Sequence, residues 1–397
     1  MPKIQATIRI AVLPLLLLGA CLAGRPASAQ DCEVKLGVVG PLSGGATVFG
    51  LSNKAAADYQ AKLANDAGGL EIGGRKCKVR VLTYDSQYTA AGGAAAANYM
   101  ASEDVHVVIG PTGSPETTGF RPVAKRTGII NFSTSYMAGV ITPEFPLAFH
   151  ALQSPVTWGP LVVQQAKKKF GIETVIIVGA NDQGGTDGSE QLVKLYSAAG
   201  VKASTEYFQR GTTNFAPVAS RLIAAHPTAV DVATMPPADA GLLVRQLLDA
   251  GYDGVIGSLG GVGLAPLVQG AGGVQNIKKM YWLETMPTDD PRIVKMKQDY
   301  QKLMGAAPPS NPNFAVQMVA AEQVIRALKV AGSDKDAEKI ADALRKMTPE
   351  SVWLGKGGWR GRTIYGINQE LAFPVGLGYI VDGKNLGVQA VDIPSEM

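Results

Sequence analysis

Few side chains in this sequence have the types and the spacing that catalysis or metal binding would require. Neither a G-x-S-x-G nucleophile elbow nor an H-E-x-x-H zinc motif occurs, and no G-x-G-x-x-G phosphate loop follows the first predicted strand. The histidines are scattered at His106, His150 and His226, and the adjacent carboxylates Asp289 and Asp290 precede a proline, as in a loop or a helix start. Ordinary surface positions explain these residues, so the sequence predicts no enzyme, no cofactor and no metal site.

The first 29 residues have the pattern of an export signal. Two basic residues precede an uncharged, largely apolar run over 10–24, and Ala27-Ser28-Ala29 then provides the small-x-small pattern that signal peptidase recognises. The apolar run is too short to span a bilayer. We therefore predict a signal peptide over 1–29 and a periplasmic mature protein. A second interpretation stays open, because Leu18-Gly19-Ala20-Cys21 resembles a lipobox, which would make Cys21 the lipidated first residue of an anchored lipoprotein.

Export changes how the remaining cysteines are interpreted. Only Cys32 and Cys77 are left after processing, and an even number of cysteines in an oxidising compartment favours a disulfide. Each precedes a strand-like run, at 34–39 and 79–82, so the two thiols come within reach if these strands are neighbours in a parallel sheet. Two unpaired thiols are the alternative. The mature chain has no third cysteine and no Cys–His spacing that would support zinc.

The composition is typical of a folded protein with two domains that does not bind nucleic acid. Of the 397 residues 46% are hydrophobic, which is too many for a disordered chain, and the length exceeds what one hydrophobic core usually serves. The first 29 residues hold three of the 37 basic residues and none of the 33 acidic ones, which leaves 34 basic against 33 acidic side chains. A nearly neutral chain without a basic stripe lacks the electrostatic footprint of a nucleic-acid-binding protein.

Strand-like and helical segments alternate along the chain in two series. The predicted strands of the two series are 34–39, 79–84, 105–110 and 129–133, then 175–179, 203–208, 230–235, 255–258 and 280–283. Helical patterns separate them, as in parallel βαβ units. The sequence therefore predicts the α/β class, with two doubly wound parallel-sheet lobes.

The last quarter of the chain has a different pattern. A helix is predicted over 313–331, where one buried stripe recurs at spacings of four and three, formed by Phe314, Met318, Ala321, Ile325 and Leu328. A shorter, highly charged helix follows at 336–347. The glycine-rich stretch 353–361 is predicted as a loop, and 374–381 as the last strand.

Four segments resemble a known family when they are taken in order behind a signal peptide. They are Val34-Lys35-Leu36-Gly37-Val38-Val39-Gly40-Pro41-Leu42-Ser43-Gly44, Asn65-Asp66-Ala67-Gly68-Gly69-Leu70, Tyr84-Asp85-Ser86 and Val108-Ile109-Gly110-Pro111-Thr112-Gly113-Ser114. Together they are similar to the type I periplasmic solute-binding proteins of ABC importers, in particular the branched-chain amino-acid (Leu/Ile/Val) type. The similarity extends over essentially the whole mature chain.

The resemblance implies two hinged α/β lobes joined by three crossovers, which we expect near 152, 284 and 368. Residues 30–152 with 284–368 would form the first lobe, and 153–283 with 369–397 the second. A ligand that touches both lobes would favour the closed form, which the family presents to the permease and ATPase of an inner-membrane ABC transporter. We expect a monomer that binds a small molecule. A periplasmic sensor for a membrane receptor is the alternative class.

The family pattern also implies where the ligand carboxylate is held. A serine that begins the helix after a strand grips it, together with residues after the next strand; Ser114 matches the former, and Thr134, Ser135 and Tyr136 match the latter. Phe49 falls where the family has an aromatic wall. The alternatives are that Ser114 only caps its helix and that the segment around Ser135 is an ordinary turn.

Several positions depart from the pattern of the amino-acid binders. Leu259 stands where their acid would bind the ligand ammonium, and Gly185 and Pro236 stand at tyrosine positions. A buried ammonium without a carboxylate partner is strongly disfavoured. We therefore predict a small carboxylate ligand without the amino group, aromatic or otherwise apolar, while branched-chain or other amino acids and amides stay open.

Two more residues of the second series are candidates for the cleft. Trp158 could extend an apolar pocket with Phe49 and Tyr136, although packing inside its lobe is the alternative. Arg210 follows a predicted strand and could be a counter-ion, but a solvated surface position is the favoured interpretation.

Overall fold

Strands and helices alternate along the chain in the computed structural model, which describes residues 1–2, 32–284, 290–391 and 393. Residues 3–29 of the predicted export signal, with Cys21, lie outside the described residues. The strands are β1 (Glu33–Gly40), β2 (Leu70–Ile72), β3 (Arg75–Asp85), β4 (Val107–Thr112), β5 (Ile130–Thr134), β6 (Ala148–His150), β7 (Thr174–Ala180), β8 (Lys202–Phe208), β9 (Ala229–Thr234), β10 (Val255–Ser258), β11 (Lys279–Glu284), β12 (Glu350–Ser351), β13 (Gly355–Lys356), β14 (Gly358–Arg360), β15 (Glu370–Ala372), β16 (Val375–Val381) and β17 (Lys384–Val391). The helices are α1 (Thr47–Asp66), α2 (Ala90–Ser102), α3 (Ser114–Thr127), α4 (Pro155–Phe170), α5 (Gln183–Ala198), α6 (Ala216–Ala224), α7 (Pro237–Asp249), α8 (Leu264–Gly270), α9 (Pro291–Met304), α10 (Asn313–Ala331), α11 (Ala337–Lys346) and α12 (Arg362–Tyr365).

The first sheet has eight strands in the order β14-β15-β6-β5-β4-β1-β3-β2. Strand β1 lies between β3 and β4 and runs parallel to both, and parallel pairing continues through β5, β6 and β15. The edge strands β2 and β14 run antiparallel to their neighbours. Apolar clusters cover both faces of this sheet, as a parallel sheet requires.

The second sheet has seven strands in the order β17-β16-β11-β10-β9-β7-β8. Strands β7 to β11 pair in parallel, while β16 and β17 add an antiparallel hairpin to the β11 edge. This sheet also has an apolar cluster on each face. The predicted α/β class, with two mainly parallel doubly wound sheets, is confirmed.

The chain passes between the sheets three times. It leaves the first sheet after β6, returns after β11 to place α9 against α1, and leaves again between β15 and β16. The third passage therefore falls at 373–374 and not near 368, because β15 pairs with β6 in the first sheet. The expected assignment of 370–372 to the second lobe is wrong, since a strand of three residues shows too little periodicity to be recognised.

A buried carboxylate ties two of these passages together. The Oε2 atom of Glu370 lies 2.9 Å from His150 Nδ1 and accepts a hydrogen bond of 3.1 Å from the Ser154 amide. Its Oε1 atom accepts a 2.7 Å hydrogen bond from the Thr157 hydroxyl at the start of α4. Glu370 thus joins β15 and β6 of the first lobe to a helix of the second, where the chain passes between them.

Cys32 and Cys77 are joined by a disulfide with a Cα–Cα distance of 4.4 Å. Residue 32 precedes β1 and residue 77 lies near the start of β3, and these strands are parallel neighbours. The disulfide therefore lies at the amino ends of the strands, away from the edge at which ligands of parallel sheets bind.

Helix α10 is more deeply buried than the predicted single stripe. Phe314, Met318 and Leu328 are buried as expected, but so are Val319 and Gln323 on the far side of the helix. The reason is that α10 packs against α1 and α11 as well as against strands of its own sheet, among them β2. Packing on several sides is not visible in the periodicity of one helix.

The end of the chain contains more strand than the sequence predicts. Residues 375–381 form β16, as expected, but 384–391 then return as β17 to make a hairpin. The stretch 353–361, expected to be a loop, contributes the short strands β13 and β14. No helix within the described residues is long and apolar enough to cross a membrane.

A cleft between the lobes as the candidate ligand site

Both lobes line one cavity of about 100 Å³ that opens to solvent. The first lobe contributes the carboxyl ends of β4 and β5 with the loops around them, and the second the ends of β7 to β10. The lining residues are Phe49, Tyr88, Thr112, Gly113, Ser114, Thr134, Tyr136, Leu152 and Asn313 of the first lobe and Gly184, Gly185, Arg210, Ala233, Thr234, Met235, Pro236 and Gly261 of the second.

Ser114 lines this cavity but does not cap its helix. The cap position of α3 is Gly113, and Ser114 is the first helical residue. Its hydroxyl accepts a 3.3 Å hydrogen bond from Ser135, and it donates to Asp187 of α5 in the second lobe. Burial raises the pKa of Asp187, although the bond from Ser114 opposes the rise. The serine thus lies where the two lobes meet.

Three other predicted residues of the first lobe surround Ser114. Thr134 and Tyr136 line the cavity, whereas Ser135 lies behind it, buried and donating to Ser114. Thr134 is only 8% exposed, and its hydroxyl has no hydrogen-bond partner among the described residues. A buried hydroxyl without a partner is costly, so Thr134 offers a ligand a polar contact. Burial also raises the pKa of Tyr136.

Two of the aromatic residues expected in the cleft, Phe49 and Trp158, lie in different surroundings. Phe49 lines the cavity and reaches across to the second lobe, where a Cβ on Gly261 would lie 3.6 Å from its ring. Trp158 does not line the cavity. It is fully buried in the core of the second lobe, and its Nε1 donates to the Gln153 carbonyl at 3.2 Å. Trp158 therefore packs inside its lobe, which is the alternative given above, because its side chain points from the start of α4 towards its own sheet and away from the cleft.

Leu259 likewise belongs to the core rather than to the cavity. Its amide donates to Asp231 Oδ1 at 3.3 Å, and the same oxygen accepts from the Ala233 amide at 2.9 Å. The Tyr196 hydroxyl donates to Asp231 Oδ2 at 2.7 Å, and burial raises the pKa of Asp231. This fully buried carboxylate holds the turns after β9 and β10 from beneath. Gly185 lines the cavity.

Arg210 and Tyr88 are among the cavity residues that the sequence does not place in the site. Arg210, expected in solvent, lines the cavity with a side chain that is 27% exposed. Tyr88 follows β3, and both it and Gln87 have positive φ, at 57° and 53°. Positive φ in successive non-glycine residues is characteristic of functional loops, but it is not visible in a sequence. The sequence feature that indicates a cavity position for Arg210 is its place directly after a strand, because the carboxyl ends of parallel strands face the ligand.

The wall of the cavity has a positively charged side chain and no acidic one among the described residues. Arg210 is the single charged residue among the described residues that line it. Its Nε atom donates to Asp182 Oδ2 at 2.5 Å, and Asp182 also caps α5 by accepting from the Gly185 amide at 3.0 Å. Within the described ranges no cluster of His, Cys, Asp and Glu could hold a metal ion. The cavity wall is therefore made of hydroxyls, aromatic rings, small residues and one guanidinium.

Two sheets that present the carboxyl ends of their strands to a shared cleft are the architecture of a two-lobe solute-binding protein. The chain belongs to the periplasmic binding protein family, whose model matches residues 33–371. A leucine-, isoleucine-, valine-, threonine- and alanine-binding protein of Pseudomonas aeruginosa is 25% identical over 80% of this chain and 83% of its own length. The predicted resemblance to the branched-chain amino-acid type is confirmed.

Solved structures share this fold. The branched-chain amino acid transporter substrate-binding protein LivJ of Streptococcus pneumoniae, in complex with isoleucine, has a TM-score of 0.75 at 20% identity, over 90% of this chain and 99% of that one. An ABC transporter solute-binding protein of R. palustris, in complex with benzoate, has a TM-score of 0.73 at 15% identity, over 90% and 97%. One fold therefore holds an amino acid in the first protein and an aromatic acid in the second.

Proposed function

We propose that this chain is the exported solute-binding component of an ABC importer and that it captures a small carboxylate between its lobes. An aromatic or otherwise apolar acid is favoured. The closed, loaded form is delivered to the permease and ATPase in the inner membrane. The family membership and the export signal support the periplasm as the compartment, and a single chain with a cleft of its own needs no second copy.

The charge of the cavity wall is the observation that carries this proposal. An α-amino acid buries an ammonium, which needs an acidic partner to offset its lost hydration. No acidic side chain lines the cavity within the described part of the chain, and the charged residue that does is Arg210. Ser114 and Thr134 offer hydroxyls to a carboxylate, and Phe49 and Tyr136 offer apolar surface to the remainder of the ligand.

The second candidate is an amino acid, including the branched-chain ones. Several relatives that are named for branched-chain amino acids favour it, and so does one carboxylate close to the cavity. Asp187 reaches Ser114 from the second lobe and is the acid best placed to meet an ammonium if the serine released it. A periplasmic sensor for a membrane receptor would use the same cleft.

Thermal unfolding of the mature protein against a ligand panel tests the proposal. The panel contains leucine, valine, phenylalanine, benzoate, 4-hydroxycinnamate, dicarboxylates and the primary amides of the aromatic acids. A ligand at 100 times its dissociation constant adds about 2.7 kcal/mol to the stability of the folded form, which is a shift of a few degrees. We expect shifts with the aromatic acids, smaller shifts with their amides and none with amino acids. A clear shift with leucine and none with the aromatic acids would overturn the proposed ligand class.

A further inference from the structure

Arg210 reaches the cavity from the second lobe but packs against the first. Its guanidinium carbon lies 4.9 Å from the centroid of the Tyr88 ring, which is within the range of a cation–π contact. Tyr88 belongs to the loop between β3 and α2 of the first lobe. The pair therefore forms only when the lobes are closed, because its two members come from opposite sides of the cleft.

Tyr88 places this contact beside the start of α3. A Cβ on Gly113, the residue that caps α3, would lie 2.5 Å from the Tyr88 ring. Ser114 follows directly, so the guanidinium, the tyrosine and the candidate carboxylate-binding serine share one end of the cavity. Donors from both lobes thus converge on this end.

The hydrogen bonds of Arg210 leave both Nη atoms of its guanidinium available to a ligand. Nε donates to Asp182, which fixes the direction of the guanidinium, and Asp239 contributes a second, more distant negative charge. Neither Nη1 nor Nη2 has an acceptor among the hydrogen bonds of the described residues. A guanidinium has five N–H donors in a planar fork that matches a carboxylate, so four remain after the bond to Asp182.

We propose that Arg210 is the specificity-determining contact of the second lobe, donating from its Nη atoms to the anionic group of the ligand that Ser114 and its neighbours hold from the first lobe. This rests on the proposed function and deepens it. A neutral ligand contacts the first lobe equally well but gains less from closure, so the preference for an acid over its amide arises when the lobes close. The positive charge of Arg210 thus serves the anionic group of an acid in the way that an acidic side chain would serve the ammonium of an amino acid.

Calorimetric titration of the wild type, Arg210→Met and Arg210→Lys with two matched pairs of probes tests this. The pairs are benzoate with benzamide and 4-hydroxycinnamate with its primary amide. We expect Arg210→Met to weaken binding of the acid about 10- to 100-fold and to leave binding of the amide nearly unchanged. Arg210→Lys keeps the charge but loses the fork, so it should recover part of the preference.

Arg221→Met is the matched control. Arg221 is also an arginine of the second lobe paired with an acid, Glu206, at 2.5 Å, but its side chain is 56% exposed and outside the cavity. Its substitution should leave both affinities unchanged. Equal losses for acid and amide in Arg210→Met would assign the residue a structural role and overturn the inference, as would an unchanged affinity for the acid. If the wild type binds neither acid, the proposed ligand class fails first and the inference falls with it.

Discussion

At the scale of single residues, the carboxyl of Glu116 supports the cleft without lining it. Glu116 lies in the first turn of α3 and is fully buried. Its Oε2 atom accepts from the Thr112 amide at 2.7 Å, Oε1 accepts from the Ser86 hydroxyl, and the Tyr88 amide is a further donor. One side chain thus fixes the end of β4 and the strained loop that carries Tyr88. Burial raises the pKa of Glu116 to about 8, against the effect of these hydrogen bonds.

This raised pKa predicts a pH dependence of stability. The folded protein holds the Glu116 proton up to about pH 8, whereas the unfolded chain releases it near its ordinary pKa of 4.5. Because the folded state binds more protons in this window, stability falls as the pH rises from 4.5 to 8. Glu116→Gln, which cannot ionise, should lose less stability across the window and be at least as stable as the wild type at pH 8. Thermal unfolding at pH 5, 6, 7 and 8 measures this.

The control for Glu116→Gln is Glu144→Gln. Glu144 is a glutamate of the same lobe, but its side chain is 69% exposed and only 3.7 Å from Lys125. An exposed ion pair of this kind contributes little to stability, so this variant should follow the wild-type pH profile. Parallel profiles for Glu116→Gln and the wild type would show that Glu116 is ionised in the folded protein, contrary to the prediction.

The sequence located the first-lobe half of the site better than the second-lobe half. Ser114, Thr134 and Tyr136 belong to motifs in which several adjacent residues match a family, and they occupy the cavity wall or its rim. Trp158 and Leu259 were chosen from residue type and approximate alignment, and both point into the core. Arg210 was underestimated because an arginine after a strand is usually solvated, and only the closed lobes bring it to Tyr88.

At the scale of elements, the first lobe depends on joining β1 to β3. These are parallel neighbours towards the β2 edge of its sheet, and they are separated along the chain by α1 and the β2 hairpin strand. The disulfide joins Cys32 to Cys77, 45 positions apart in the sequence, at the amino ends of the strands. It is thus a crosslink of the framework, while the ligand cavity lies at the opposite ends.

Removing this crosslink should lower stability and leave binding intact. Closing a loop of this size restricts the unfolded chain and stabilises the folded one by about 2–4 kcal/mol. We expect Cys32→Ala with Cys77→Ala to unfold at a lower temperature and to bind its ligand with wild-type affinity. Alanine suits both positions, because Cys77 is in an apolar core. Reduction of the wild type should reproduce the loss, and a variant of unchanged stability or of weakened affinity would contradict the prediction.

Elements with strong periodicity were predictable, and short ones paired at long range were not. The strands β1, β7 and β9 and the helix α10 have the length and apolar pattern that identify them from the sequence. Strand β15 has three residues, and its place in the first sheet depends on β6, more than 200 positions earlier. The hydrogen bonds from residues 150, 154 and 157 to Glu370 fix that pairing. Because they join residues far apart in the sequence, no local pattern predicts them.

At the scale of the whole molecule, the lobes touch each other directly around the cavity. Gln183 of α5 donates to the Thr118 hydroxyl of α3 at 2.9 Å, and Asn311 donates to the Gly261 carbonyl at 3.2 Å. These contacts and the Arg210–Tyr88 pair all require closure. A ligand then needs to contribute only the difference in free energy between the open and closed forms. Substitutions at the contact between the lobes should therefore alter affinity even where the substituted residue does not touch the ligand.

Gly184 provides the sharpest test of that coupling. A Cβ on this residue would overlap the Tyr88 hydroxyl across the cleft, and Tyr88 cannot retreat easily because its ring is held between Gly113 and Arg210. Gly184→Ala is compatible with its helix, so the variant should fold normally yet close poorly, with affinity lower by about 10- to 100-fold. Adding Tyr88→Phe removes the hydroxyl and should restore much of the binding, since the next ring carbon lies 3.3 Å from the added methyl group. Small-angle scattering with and without ligand would follow closure alongside calorimetry. Wild-type affinity in Gly184→Ala, or no recovery in the double variant, would mean that the lobes close by another route.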